Sequence, residues 1–121
     1  MKTIIAGSRW LYDPGFLEQV MKAISWTPTE VVSGGARGPD KMGEEWAQEK
    51  GIPVKKFPAD WDMHGKAAGP IRNKEMAEYA DAAVILWDEQ SRGTKSMIDL
   101  ARAAGLKVEV FLAKPAVPRR S

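Results

Sequence analysis

Residues 30–40 read EVVSGGARGPD, a short apolar run from Glu30 to Ser33 that passes directly into Gly34-Gly35-Ala36-Arg37-Gly38-Pro39-Asp40. Glycine density stops the run as a strand. Pro39 suits the first position of a helix, where its missing N–H has no partner to lose. The helix that follows carries an apolar stripe at Met42, Trp46 and Ala47, and Gly51 is a natural stop. One strand, one glycine turn and one helix are thus written in about twenty residues, and the same sentence recurs on both sides.

Upstream, Lys2 to Ala6 is a β-branched strand that ends in Gly7-Ser8-Arg9, and Asp13-Pro14 reads as an N-cap followed by proline. Leu17, Val20, Met21 and Ile24 then fall at i, i+3, i+4 and i+7, one face of a helix. Downstream, Pro53 to Phe57 is a third strand, followed by a loop from Pro58 to Gly69 and a helix opened by Pro70 and running to about Tyr79. Loops of that length in small domains are more often functional than connecting. Ala82 to Trp87 (AAVILW) is the most continuous apolar strand, as expected of one covered on both faces. Ser91-Arg92-Gly93-Thr94 precedes a helix with Met97, Ile98, Ala101 and Ala104 inward, closed by Gly105, and Lys107 to Leu112 is the last strand. The alternation of five strands with four helices predicts an α/β fold, a parallel sheet of about five strands with helices on both faces.

The 121 residues, 44% hydrophobic and 28% charged, fit one ordinary globular domain. We expect that domain over 1–113, with a basic proline-containing tail over 114–121. The formal charge of +2 is deceptive, because Lys114, Arg119 and Arg120 lie in the tail and the remainder holds 15 basic against 16 acidic groups. Nucleic acid is therefore an unfavoured partner for the body. No cysteine and a single histidine, His64, argue against disulfides, thiolate nucleophiles and a zinc site, so no metal ligands are assigned. No apolar run reaches the roughly 18 residues of a membrane span, and the expected location is cytoplasmic.

In an open parallel sheet, ligands bind outside the carboxyl ends of the strands, so the strand-to-helix loops are where chemistry should be sought. Of seven arginines, four (Arg9, Arg37, Arg72 and Arg92) sit beside glycines in those loops. Glycine lets backbone approach a ligand, helix N-termini present free N–H groups, and arginine offers a planar fork to phosphate. Four such loops meeting at one rim predict an anion site, with phosphate the natural ligand. The expected contacts are Gly7, Ser8, Arg9, Gly34, Gly35, Arg37, Gly38, Asp60, Trp61, Arg72, Asn73, Trp87, Ser91, Arg92, Gly93 and Thr94. A tryptophan beside these loops could stack on a base, although plain packing is the blander reading of any one of them. Asp40 and Glu44, four apart at the start of the second helix, could bind ribose hydroxyls or act as a base; stabilisation by the helix dipole is the alternative. Neither GxxxxGK[ST] nor GxGxxG occurs, which argues against a P-loop hydrolase and a standard dinucleotide dehydrogenase.

The set GSR (7–9), SGGARGPD (33–40), ADW (59–61), GPIRN (69–73) and LWDEQSRGT (86–94) resembles the YspA-type branch of the SLOG superfamily, relatives of the DprA/Smf and Lonely Guy proteins. The resemblance implies a three-layer α/β/α Rossmann-like sandwich that senses, sequesters or processes nucleotide derivatives such as ADP-ribose or NAD-related molecules. No cofactor is assigned beyond such a ligand, and a homo-oligomer is left open. Lonely Guy enzymes cleave nucleoside monophosphates with a helix arginine and the glutamate of PGGxGTxxE. Arg72 is similar to that arginine and Gly93-Thr94 to the GT, but Met97 stands at the glutamate position. A thioether cannot exchange a proton, so catalysis would fall to Arg72 with Asp40, Glu44 or Asp99. DprA proteins share a GGARGxD stretch and bind single-stranded DNA, a second alternative that the near-neutral body disfavours.

Overall fold

The computed structural model describes residues 1–113; the tail expected over 114–121 lies outside the described residues. Five parallel strands, β1 (Lys2–Gly7), β2 (Glu30–Ser33), β3 (Val54–Lys56), β4 (Ala82–Trp87) and β5 (Lys107–Leu112), form one sheet in the order β3-β2-β1-β4-β5. The chain winds outward from β1 through β2 to β3, then returns to the far side of β1 for β4. Register is continuous across that reversal, with Thr3 opposite Ala82 and Gly7 opposite Leu86. The carboxyl ends of β1 and β4 therefore flank the switch point of the sheet, where loops diverge.

Side-chain alternation divides the two faces. Ile5, Val31, Val84 and Leu86 face α1 (Pro14–Ala23) and α2 (Pro39–Lys50), meeting Leu17, Val20, Met42 and Ala47. Ile4, Ala6, Val32, Ala83 and Ile85 form the opposite core with Met76, Ala77, Met97, Ile98 and Ala101 of α4 (Ala68–Tyr79) and α5 (Arg92–Ala103). The result is the three-layer α/β/α Rossmann-like sandwich expected. Gly43 brings α2 close to the sheet, since a Cβ there would lie 2.8 Å from the Ile5 Cβ.

The helix starts follow their caps. Asp13 Oδ1 accepts the Phe16 amide at 3.1 Å and Pro14 fills the first helical position. Ser91 accepts the Thr94 amide at the head of α5. Gly38 precedes α2 at φ 78°, and a side chain there would strike the carbonyl oxygens of Arg9 and Leu11. That position requires glycine for both conformation and space.

Three expectations change. The loop read from Pro58 to Gly69 contains a one-turn helix, α3 (Trp61–His64), capped by Asp60, then a 3-10 turn over Gly65–Ala67. Helix α4 begins at Ala68, two residues before Pro70, which is tolerated because the first turn has no intrahelical acceptors for its N–H groups. Ala104 caps α5 and is exposed, leaving Met97, Ile98 and Ala101 as its inward stripe. No helix among the described residues is long and apolar enough to cross a membrane.

Candidate functional site

Buried polar side chains gather at one rim. Ser8 follows β1, Ser33 ends β2, Asp40 and Glu44 lie in the first turns of α2, and Arg72 and Thr94 lie in the first turns of α4 and α5. Apolar burial builds the rest of both cores. Burying six polar groups at the carboxyl edge costs free energy unless each is bonded, and here they are bonded largely to one another's loops.

Ser33 Oγ donates to Glu44 Oε2 at 2.6 Å and accepts the Gly35 amide at 3.0 Å. Asp40 Oδ2 accepts the Ala36 amide at 3.1 Å. Arg72 reaches across from α4, donating from Nη1 to the Gly34 carbonyl at 2.5 Å and from Nε to Asn73 Oδ1 at 3.0 Å. The loop 34–37 is thus pinned from below by Ser33 and Asp40 and from the side by Arg72. On the other flank, Ser8 Oγ accepts the Asp88 amide at 3.1 Å, and Asp88 accepts Trp10 Nε1 at 2.7 Å. These contacts tie the loop after β1 to the loop after β4.

Two hollows open onto this framework. The smaller, about 220 Å³, lies over the end of β1 and between the starts of α4 and α5, lined among others by Gly7, Arg9, Asp40, Arg72, Asn73 and Thr94. The larger, about 580 Å³, lies over the loop 34–37, with Arg9, Arg37, Lys56, Trp61 and Arg72 in its wall. Arg9, Ala36, Trp61 and Arg72 belong to both, so the hollows adjoin. Met97, 2% exposed, forms part of the smaller one, placing a thioether on its floor.

The electrostatics is set by burial. Desolvation pushes the Asp40 carboxyl up to about 6, against the Ala36 amide and the Arg72 charge, which favour its ionised form, while Glu44 adds to the rise. Desolvation also lowers the Arg72 guanidinium, opposed by Asp40 and reinforced by Arg9. Burial of Asp88 is outweighed by hydrogen bonds from Trp10 and the amides of Gln90 and Ser91, bringing its carboxyl down to about 2.

Most of the residues singled out in the sequence converge here. Gly7, Arg9, Asp40, Trp61, Arg72, Asn73, Ser91, Gly93 and Thr94 line the smaller hollow, and Gly34, Gly35 and Arg37 the larger. Others stand aside. Arg92 is exposed and lines neither hollow. Trp87 Nε1 donates to the Ser91 carbonyl at 3.1 Å, and its ring packs on the α4–α5 core. Asp60 serves as the cap of α3, accepting the Met63 amide at 3.0 Å. Gly38 and Ser8 are framework, and Glu44 lines neither hollow, its oxygens taken by Ser33, Lys41 and Lys56. Lys56 was missed: read as an interior strand residue, it ends β3 and so falls under the same rule as the other loop residues. Ser96 and Met76, also in the smaller hollow, carry no comparable sequence signal.

A family model described as the YspA, cpYpsA-related SLOG family matches residues 1–64. The Gene 61 protein of Mycobacterium phage D29 is 40% identical over 91 residues, covering 70% of this chain and 73% of that protein. No solved structure matches the chain. The matched residues include β1, β2, the loop 34–37 and the buried pair Asp40 and Glu44, and on these findings the chain belongs to the YspA, cpYpsA-related SLOG family.

Proposed function

We propose that this protein binds a phosphate-bearing nucleotide derivative, of the ADP-ribose or NAD-related kind, across the carboxyl ends of β1 and β4. Membership of the SLOG family points to a nucleotide-related binding or processing role. The observation that supports the finer reading is the wall shared by the two hollows, which Arg9 and Arg72 both line beside Ala36 of the loop 34–37. Arginine forks at a sheet's switch point complement phosphate in charge and geometry. Trp61, 53% exposed and lining both hollows, offers a ring on which a base can stack. Asp40 offers an acceptor to ribose hydroxyls.

The test is thermal denaturation with AMP, ADP-ribose, NAD and cyclic nucleotides at millimolar concentration. A ligand at 100-fold its dissociation constant adds about 2.7 kcal/mol, a rise of roughly 8 °C for a domain of this size. No shift with any of them, or an equal shift in Arg72→Ala, contradicts the proposal.

A second reading, hydrolysis of an N-glycosidic or phosphoanhydride bond, rests on Asp40, whose carboxyl at about 6 in the wall of the smaller hollow suits proton transfer near neutrality. Met97 on the same floor supplies no carboxylate. Chromatography of nucleotides incubated with the wild type and with Asp40→Asn separates the readings: products with the wild type alone support hydrolysis, and unchanged nucleotide leaves binding.

A further inference from the structure

The two hollows differ in charge, and the difference bears on how many phosphates the ligand carries. Among the described residues, the smaller has Arg9 and Arg72 as its cations and Asp40 as a carboxylate, with Ala6, Met76 and Met97 among its apolar lining. The larger is lined by Arg9, Arg37, Lys56 and Arg72, and none of its ten lining residues is acidic. At about 220 Å³ the smaller falls below the roughly 300–1,000 Å³ of sites that enclose a whole organic ligand, so it suits one part of a molecule only. The larger, at about 580 Å³, continues from it across Arg9 and Arg72.

Lys56 has an anionic partner on the same framework. Its Nζ lies 3.7 Å from Glu44 Oε1, and Glu44 is fixed beneath the loop by the Ser33 hydroxyl at 2.6 Å. Arg37 stands on the loop whose carbonyl at Gly34 is held by Arg72. The added cations of the larger hollow are therefore carried on the same framework that positions the shared pair.

We propose that Arg37 and Lys56 form a second anion subsite, so that the protein selects nucleoside diphosphates over monophosphates. The inference rests on the reading that the shared wall binds a nucleotide phosphate. One phosphoryl group lies between Arg9 and Arg72, the next lies over the loop 34–37 toward Arg37 and Lys56, and the uncharged sugar occupies the smaller hollow beside Asp40. Glu44 is a positioning residue for Lys56 and touches no ligand.

Titration calorimetry of the full chain with adenosine, AMP and ADP tests this, using the wild type, Arg37→Ala/Lys56→Ala and Arg72→Ala. The substituted side chains at 37 and 56 are exposed, so the double variant keeps the fold. We expect the wild type to bind ADP about tenfold or more tighter than AMP, the increment of a charge-assisted contact. In the double variant that preference falls below about threefold with AMP affinity nearly unchanged, whereas Arg72→Ala weakens both. Equal affinity of the wild type for ADP and AMP, or a parallel loss of both in the double variant, overturns the second subsite while the nucleotide reading stands. Absence of binding by any of the three overturns that reading, and the subsite falls with it. A single-stranded oligonucleotide bound tighter than ADP assigns the four cations to nucleic acid and also overturns the proposal.

Discussion

Gly34 has no side chain because Arg72 occupies the space one would fill. A Cβ there would lie 2.5 Å from Arg72 Nη1 and 3.0 Å from Asp40 Oδ2. The obstacle is the end of a flexible side chain, so Gly34→Ala should fold, with Arg72 displaced from the shared wall. Nucleotide affinity is expected to fall about tenfold or more, the loss of a charge-assisted contact, with the secondary structure by circular dichroism unchanged; unaltered affinity would show that Arg72 is not placed by this contact. Asp40 carries a pH signature of its own. Its carboxyl sits at about 6 rather than 3.8, so the native state holds its proton more tightly than the unfolded chain. That stabilisation is complete below about pH 4, declines as pH rises, and is gone above about pH 6, a change of about 3 kcal/mol. Asp40→Asn removes the titration. Urea denaturation should find the variant gaining on the wild type by up to about 3 kcal/mol between pH 4 and pH 7.5, and a difference that does not vary with pH contradicts the assignment.

At the scale of elements, α2 both packs the core and carries the site. Its approach to β1 depends on Gly43, where an added methyl would lie 2.8 Å from Ile5 Cβ and 2.9 Å from Ile5 Cγ2. Gly43→Ala should cost about 1–3 kcal/mol by chemical denaturation, the usual penalty of overpacking, despite alanine's better helix propensity; a gain in stability would mean that the helix shifts freely. The same helix shows what the sequence could not convey. An apolar stripe at Met42 and Ala47 was legible, but the burial of Asp40 and Glu44 was not, because it depends on other elements: Ala36 and Arg72 beside Asp40, Ser33 and Lys56 beside Glu44. Helix α3 escaped notice because it is one turn long and buries no residue, leaving no periodicity to read. The arginine and glycine loops were legible because strand ends and helix starts announce themselves in glycine and proline. Arg92 was overread, since a residue can open a helix at the rim and still stand outside the hollow, whereas Lys56 was hidden by its place in a lysine-bearing strand end.

For the molecule as a whole, sheet order places the candidate site. The order β3-β2-β1-β4-β5 sets the ends of β1 and β4 at the reversal, and six of the buried polar side chains lie along that carboxyl rim. The two flanking loops are cross-tied there by Ser8, Trp10 and Asp88. Amide chemical shifts of the labelled protein during titration with ADP test the central claim most directly. The account predicts saturable changes concentrated at Gly7–Arg9, Gly34–Arg37 and Gly93–Thr94, absent in Arg72→Ala. Changes scattered over α1 and β5, or none at all at millimolar ADP, would contradict it.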